Sequence, residues 1–189
     1  MSNPSRAKAA VSGSNFPKLV KHMDPTPHPI LHIEDEDNDI HLLQRAFANA
    51  EICHPVQVVK TAARAYAYLL GTDPFERRNY FPLPSLILLD LSLPLLDGLK
   101  ILRWRQKQPE IKRIPVLVLT ATSQVGEVRA AYEEGANGYL VKPASFNGWV
   151  ELVKAIQTFW LTQNIFPAPQ IAHEQTMAPR VNRNEVVAV

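Results

Sequence analysis

Short strand-like runs alternate with amphipathic stretches along the middle of this 189-residue chain. The strand-like runs lie at residues 29–33, 55–60, 85–89, 114–119 and 138–141. Those at 85–89 and 114–119 are apolar at almost every position, which is typical of strands covered on both faces. The pattern therefore predicts five strands, at least two of them fully buried.

The stretches that follow these runs repeat apolar residues every three to four positions, as one face of a helix does. The sequence predicts helices at 40–50, 62–70, 99–106, 125–134 and 146–161. Strict alternation indicates parallel strands joined by helical crossovers, and right-handed crossovers place helices on both sides of the sheet. We therefore predict an α/β fold with a doubly wound, five-stranded parallel sheet.

Composition changes at both ends of this alternating region. Residues 1–27 are rich in Ser, Asn, Pro, Ala and Lys, and residues 167–189 are polar and aperiodic, so both are predicted to be disordered tails around a domain at 28–166. The net charge of the chain is +2, but residues 1–27 alone carry +3. A basic nucleic-acid footprint is expected on a folded face, and nucleic acid is therefore not a favoured partner.

The overall composition excludes several classes of protein. Apolar residues make up 46% of the chain and charged residues 20%, which excludes a wholly disordered chain. No apolar run approaches the ~20 residues of a membrane-spanning helix, so no membrane partner is expected. The single cysteine, Cys53, cannot form an internal disulfide. A reducing, cytoplasmic setting is the simplest expectation.

Two histidines lie near the first predicted strand. His28 and His32 would be about 13 Å apart in an extended chain, which is too far for both to chelate one ion. We predict that His32 is a core histidine with satisfied hydrogen bonds.

Polar side chains stand where four of the predicted strands end. Glu34 and Asp35 follow the first strand, Asp90 the third, Thr120 the fourth and Lys142 the fifth. In a doubly wound sheet, ligands bind outside the carboxyl ends of the strands, at the point where the strand order reverses. We therefore expect three carboxylates, a hydroxyl and an ammonium to converge at one edge.

Carboxylates packed this closely repel one another unless a cation intervenes. Mg²⁺ prefers oxygen ligands and keeps water and phosphate oxygens in its shell, so it is the expected metal, with Mn²⁺ as an alternative. Asp35 and Asp90 are the predicted direct ligands, and Glu34 is expected to act through water. The backbone carbonyl of Ser92 could complete the protein's share of the shell.

Asp90 would retain an oxygen that can attack phosphorus, as in aspartyl-phosphate chemistry. The negative charge that develops on the phosphoryl group needs positive and hydrogen-bonding partners. Lys142 and the Thr120 hydroxyl are placed to supply them.

Four segments in this order resemble a response-regulator receiver domain. They are ILHIED at 30–35, LILLDLSLPLLDG at 86–98, VLVLTA at 116–121 and GANGYLVKP at 135–143. Within that family the chain is most similar to the stand-alone phytochrome response regulators of cyanobacteria and other bacteria. The resemblance implies the flavodoxin-like (βα)5 receiver fold and a part in a two-component phosphorelay.

The resemblance also implies roles for the residues at the strand ends. Asp90 would receive a phosphoryl group from a sensor histidine kinase, of phytochrome type in this subfamily. Glu34 and Asp35 match the acidic pair that holds Mg²⁺, and Lys142 matches the lysine that contacts the phosphoryl group. Such a protein is a switch and not an enzyme with a diffusible substrate. It would signal through a downstream phosphotransfer or effector protein, because the polar C-terminal residues are too few to form an output domain.

Three further positions match the family's switch. Thr120 resembles the hydroxyl residue that turns toward the phosphoryl group, and Tyr139 the aromatic residue that turns inward with it. Pro143 resembles a proline preceded by a cis peptide bond. Phosphorylation is thus expected to alter the surface formed by the fourth helix, fifth strand and fifth helix.

The last predicted helix carries more apolar residues than one sheet-facing side requires. Trp149, Phe159 and Trp160 follow helical spacing, and exposed apolar patches often mark interfaces. We therefore predict a homodimer that forms through this helix and its extension. The alternative is that the extension folds back onto its own domain.

Two other functions remain open at this point. One is a pseudo-receiver that binds partners without phosphate, although such a scaffold has no need of Asp35, Asp90, Thr120 and Lys142 together. The other is a DNA-associated regulator that acts through the basic arm at 1–27.

Overall fold

The computed structural model describes residues 28–94 and 97–165. The two tails predicted at 1–27 and 167–189 lie outside these residues. The described elements run in the predicted alternation: β1 (Ile30–Ile33), α1 (Asp37–Asn49), β2 (Val56–Val59), α2 (Ala62–Leu70), β3 (Leu86–Leu89), α3 (Gly98–Gln106), β4 (Val116–Thr120), α4 (Val125–Glu133), β5 (Gly138–Val141) and α5 (Phe146–Ile156). A 3₁₀ turn (Ile111–Arg113) precedes β4, and a π-helical turn (Gln157–Gln163) follows α5.

All five strands are parallel and form one sheet in the order β2-β1-β3-β4-β5. β1 pairs with β2 on one side and with β3 on the other, so His32 lies between Val58 and Leu88. The direction of winding reverses between β1 and β3. The residues that follow these two strands therefore lie at the crevice where ligands bind in such sheets. The predicted doubly wound parallel sheet is confirmed.

The sheet separates two hydrophobic cores. Leu31 and Ile33 face the core formed with α2, α3 and α4, whereas Ile30 faces the core formed with α1 and α5. β3 and β4 are buried at every position, because helices cover both of their faces. This two-sided burial is the physical reason for the uninterrupted apolar runs in the sequence.

Polar caps fix where several helices begin. The hydroxyl of Thr61 accepts the backbone N–H of Arg64 at the start of α2, and the hydroxyl of Ser145 accepts that of Gly148 at the start of α5. Such caps are typically worth about 1 kcal/mol each, because they satisfy N–H groups that have no intrahelical partner. α2 ends at Gly71, whose φ of 69° lies in the left-handed region that favours glycine.

The last helix differs from the single helix predicted over 146–161. Its α-helical part ends at Ile156, and the chain widens into the π-helical turn. The Thr158 hydroxyl donates to the carbonyl of Lys154 at 2.9 Å, and the Asn164 N–H donates to the carbonyl of Phe159 at 2.8 Å. The threonine occupies a carbonyl that a regular α-helical turn would use, which favours local rearrangement of the ladder.

One predicted interface residue is wrong. Trp149 is only 1% exposed and lies in the core between α5 and the sheet, because its face of the helix is the one that covers the strands. Phe159 is 53% exposed, and its ring packs edge-to-face on Trp160 with centroids 5.1 Å apart. Trp160 is half-buried against the same core as Trp149.

Within the described part of the chain, no helix combines the length and the apolar character needed to cross a bilayer.

Candidate phosphoacceptor site

Asp90 occupies the first position after β3, at the crevice edge of the sheet. Its backbone N–H continues the ladder to β1 by donating to the carbonyl of Ile33 at 3.0 Å. Its side chain is held at both oxygens: the Ser92 N–H donates to Oδ1 at 3.0 Å, and Lys142 Nζ donates to Oδ2 at 2.7 Å. The carboxylate is thus fixed in orientation while it remains only 4% exposed as a residue.

Gly98 keeps the loop after Asp90 close to α3. Its N–H donates to the carbonyl of Leu91 at 3.1 Å, and an added Cβ would lie 2.7 Å from both the Asp90 carbonyl oxygen and the Leu91 Cα. Both of these are backbone atoms, which cannot move aside as a flexible side chain does. Glycine is required here by close approach and not by an unusual φ.

Lys142 binds three carboxylates at once. Its Nζ lies 2.7 Å from Glu34 Oε2, 2.8 Å from Asp39 Oδ2 and 2.7 Å from Asp90 Oδ2. The contact with Asp90 is a hydrogen bond, and the contacts with Glu34 and Asp39 are close ion pairs. The lysine side chain is 9% exposed, and the cluster is therefore largely shielded from water.

The electrostatics of Glu34 and Lys142 reflect this burial. Burial raises the pKa of Glu34 to about 7, although its hydrogen bond to Lys142 opposes the shift. For Lys142, burial lowers the pKa, but the hydrogen bonds to Asp39, Asp90 and Glu34 outweigh it and the net shift is upward. The lysine is thus firmly cationic, and Glu34 is the carboxylate most ready to take up a proton.

The donor set fits a hard divalent cation. One carboxylate oxygen from each of Glu34, Asp35 and Asp90 lies within 4.8 Å of the others. Three such oxygens suit a divalent cation. One of them belongs to Glu34, whose pKa is raised by burial, and a bound cation would favour its ionised form. The Ser92 N–H contacts Asp90, and a role for its carbonyl in a metal shell stays a prediction.

Thr120 and Tyr139 lie on the neighbouring strands β4 and β5. Thr120 is fully buried, and its hydroxyl has no hydrogen-bond partner. The Tyr139 hydroxyl donates to the Thr122 carbonyl at 3.1 Å and lies 3.5 Å from a Glu127 carboxylate oxygen. Burial and the nearby Glu127 raise the pKa of Tyr139. A buried hydroxyl without a partner can donate a hydrogen bond to a new acceptor when the charge of the site changes.

His32 lies in the core, as predicted, but its hydrogen bonds are not satisfied. Its residue is fully buried, and neither ring nitrogen has a partner. The nearest polar atom in an ion-pair geometry is Glu34 Oε2, 3.8 Å from Nε2, which is too long for a hydrogen bond. Burial lowers the pKa of His32 to about 3, and the positive charge of Lys142 adds to the shift while Asp90 opposes it. The ring is therefore neutral at physiological pH.

Two differences from the sequence predictions concern this site. Among the described residues the cis peptide bond joins Asp73 and Pro74, so the bond before Pro143 is not cis as the family resemblance implied. The predictions also omitted Asp39 from the cluster. It lies in the first turn of α1, close in sequence to the acids that end β1. No local spacing identifies it, because its contact with Lys142 depends on how α1 packs over the strand ends.

Comparison with known proteins agrees with this geometry. The chain matches the response regulator receiver domain family over residues 30–157. It is 36% identical over 142 residues to the response regulator Rcp1 of Synechocystis sp., covering 75% of this chain and 95% of that protein.

Solved structures give the same result. The crystal structure of the Mn²⁺-bound form of Rcp1 superposes with a TM-score of 0.67 at 36% identity, covering 75% of this chain and 100% of that one. The crystal structure of the phosphorylated cyanobacterial phytochrome response regulator RcpA superposes with a TM-score of 0.69 at 34% identity, covering 76% of this chain and 100% of that one. The sheet order, the acidic crevice and these matches together lead to one conclusion: the chain belongs to the response-regulator receiver family.

Proposed function

We propose that this protein is a response regulator that accepts a phosphoryl group on Asp90 from a histidine kinase. The observation that carries the proposal is the fixed orientation of the Asp90 carboxylate, with Oδ1 on the Ser92 N–H and Oδ2 on Lys142. A carboxylate held by an N–H and an ammonium, at the switch point of the sheet, is placed for transfer of a phosphoryl group onto one of its oxygens.

The transfer is a displacement at phosphorus. An Asp90 oxygen forms a bond to phosphorus while the bond from phosphorus to the donor's imidazole nitrogen breaks, and the leaving imidazole takes up one proton from solvent and departs as neutral histidine. Lys142 stabilises the charge that spreads over the phosphoryl oxygens. Hydrolysis later returns the Asp90 carboxylate and releases inorganic phosphate.

Glu34, Asp35 and Asp90 would hold the divalent cation, for which we propose Mg²⁺ with Mn²⁺ as an alternative. When bound, the cation neutralises phosphoryl oxygens and aligns them for in-line attack. The carboxylates' own task is to supply oxygen ligands from a buried pocket that excludes most water. The Mn²⁺-bound form of Rcp1, a relative of this chain, supports the binding of a divalent metal.

The conformational response would begin at Thr120. Its partnerless hydroxyl gains an acceptor when a phosphoryl oxygen arrives, and its movement frees space into which Tyr139 can turn. Tyr139 would then leave the Thr122 carbonyl and Glu127. Coupling of this kind is typically worth about 1–3 kcal/mol, which shifts a population without remodelling the fold.

The likeness to Rcp1 and RcpA supports a phytochrome-type sensor kinase as the donor. We propose that its phosphohistidine domain docks over Asp90 and along α1, around Asp39, Leu42 and Arg45. The Arg45 guanidinium lies 4.3 Å from the centre of the Phe146 ring, so that part of α1 is already tied to α5. The signal would then pass to a downstream phosphotransfer or effector protein.

The test is incubation of the full chain with acetyl phosphate and Mg²⁺, followed by intact mass. We expect a species about 80 Da heavier in the native chain, since one phosphoryl replaces one proton. The same species should be missing from Asp90→Asn. A native chain that gains no phosphoryl group, or an Asp90→Asn variant that gains it equally, would overturn the proposal.

We also propose that two copies associate through the end of α5 and the π-helical turn. Phe159 is 53% exposed and Ile165 is 79% exposed, which leaves an apolar surface next to the half-buried Trp160. Sedimentation of Phe159→Glu should show loss of the dimer, whereas Tyr80→Glu, at a residue 69% exposed elsewhere on the domain, should leave it intact. Equal dimerisation of the two variants would contradict this interface.

A further inference from the structure

Asp39 is a fourth acid at the phosphoacceptor site, and it contacts the lysine instead of the predicted metal ligands. Its Oδ2 lies 2.8 Å from Lys142 Nζ. The oxygens that group as possible metal ligands come from Glu34, Asp35 and Asp90, and Asp39 is not among them. A role for Asp39 must therefore act through Lys142.

The three carboxylates on Lys142 differ in how easily they can leave it. The Asp39 side chain is 24% exposed, whereas that of Glu34 is fully buried and that of Asp90 is 5% exposed. A carboxylate that loses its ammonium partner must find another donor, and only an exposed one can find it in water. Asp39 is thus the partner that Lys142 can release at the lowest cost.

Lys142 is already surrounded by three carboxylates in the unphosphorylated state, each with an oxygen within 2.8 Å of its Nζ. A phosphoryl group on Asp90 needs a place beside the same ammonium. Resting on the proposed function, we infer that Asp39 competes with the phosphoryl group for Lys142 and thereby limits how much phosphorylated protein accumulates and how long it lasts. Asp39 is a positioning residue in this scheme, since it acts through the lysine.

The test compares Asp39→Asn with Asp37→Asn. Both substitutions remove one negative charge from the first turn of α1, but Asp37 is 84% exposed and pairs with Lys60 instead of Lys142. The full chains are phosphorylated with acetyl phosphate and Mg²⁺, the donor is removed, and the fraction about 80 Da heavier is followed by intact mass over time.

We expect Asp39→Asn to raise the steady-state ratio of phosphorylated to free protein. It should also lengthen the half-life of the phosphorylated form by about 1.5- to fivefold, the range for loss of one partly exposed ion pair. Asp37→Asn should match the native chain. Asp39→Glu, which restores the charge, should return the half-life toward the native value. Asp39→Ser serves as a second removal of the carboxylate if Asp39→Asn folds poorly.

A separate readout is Mg²⁺ affinity, measured by calorimetry without a phosphate donor. It should be equal in Asp39→Asn and Asp37→Asn, because neither acid belongs to the metal-ligand group. If Asp39→Asn weakens Mg²⁺ binding relative to Asp37→Asn, or if the two variants share one half-life, the inference is wrong while the proposed function stands. If the native chain itself gains no phosphoryl group, both fail.

Discussion

Lys142 Nζ lies 2.7 Å from Asp90 Oδ2, although the strands that carry the two residues are not neighbours. Asp90 follows β3, Lys142 follows β5, and β4 separates them in the sheet. The lysine side chain therefore spans the carboxyl end of β4, where Thr120 lies. A phosphoryl group on Asp90 would contact both the Lys142 ammonium and the Thr120 hydroxyl. The Lys142–Asp90 ion pair and the proposed Thr120 switch would therefore respond to the same group.

Loss of the Lys142 charge should destabilise the metal-free protein. Lys142→Met leaves Glu34 and Asp90 buried without their cation, and breaking a buried pair from one side typically costs about 3–5 kcal/mol. Urea unfolding in EDTA at pH 8 measures this loss, and added Mg²⁺ should recover part of it. Lys154→Met is the control, since Lys154 is 53% exposed and its pair with Glu151 is a surface contact. Equal unfolding free energies for the two variants would contradict the predicted cluster energetics.

Removal of the Thr120 hydroxyl should separate stability from signalling. Because that hydroxyl is buried without a partner, Thr120→Val should leave the free energy of unfolding unchanged or raise it by about 1 kcal/mol. Thr122→Val should instead lower it slightly, because the Thr122 hydroxyl accepts the Gln124 N–H at 3.2 Å. Urea unfolding gives both values. A clear loss of stability in Thr120→Val would mean that the hydroxyl has a partner after all.

The same Thr120→Val protein should still be phosphorylated by acetyl phosphate, because Asp90 and Lys142 are untouched. The tyrosine at position 139 should no longer respond, which hydrogen exchange over β5 and α4 would detect. A full response in the variant would remove Thr120 from the proposed switch.

Sequence reasoning located the acids and the lysine because each directly follows a strand-like run. A parallel sheet brings such positions to one edge whatever the details of packing, so Asp90 and Lys142 could be placed without any knowledge of helix orientation. The partner of Lys142 on α1 could not be placed in this way. The contact of Asp39 depends on how the first turn of α1 approaches the strand ends, and that is set by tertiary packing.

The wrong prediction for Trp149 arose because the sequence does not show which side of the last helix is buried. The apolar positions of the last helix exceed what one face needs, and hydropathy alone does not distinguish the buried Trp149 from the exposed Phe159. The change from α to π geometry after Ile156 separates the two environments. The sequence also could not show that the ring nitrogens of His32 lack hydrogen-bond partners. Such partners would have to come from residues that neighbour His32 in β1, β2 and β3.

Gly98 is predicted to set the position of the Asp90 loop. The Cβ of Gly98→Ala would lie 2.7 Å from backbone atoms of Asp90 and Leu91, so the loop must shift, at a cost of about 1–3 kcal/mol by analogy with overpacked cores. Phosphorylation by acetyl phosphate should slow as well, since the Asp90 carboxylate would lose its alignment. Both effects are measurable by urea unfolding and intact mass.

Gly126→Ala is the matched control, because Gly126 lies in α4 with open space around it. Alanine there should raise the free energy of unfolding by about 0.5–1 kcal/mol through helix propensity. If the two glycine substitutions had the same effect, close approach at Gly98 would not be the reason for its glycine.

His32 should make the protein sensitive to mild acid. Its pKa is about 3 in the folded protein and near the ordinary 6.5 in the unfolded chain. Above pH 6.5 both states are neutral and the histidine contributes no pH dependence. As the pH falls below 6.5 the unfolded chain binds a proton that the folded protein cannot, so stability decreases, by about 2 kcal/mol at pH 5.

The carboxylate of Glu34 works in the opposite direction, because its pKa of about 7 exceeds the ordinary 4.5 and the folded state binds the extra proton between these values. Glu34 is present in both the native chain and His32→Leu, so the difference between their unfolding curves isolates the histidine. Between pH 7 and pH 5, urea unfolding should show the native chain losing about 2 kcal/mol relative to His32→Leu, whose own stability should rise because of Glu34. An equal change in the two proteins would mean that His32 becomes protonated inside the fold, with Glu34 3.8 Å away as the neighbouring negative charge.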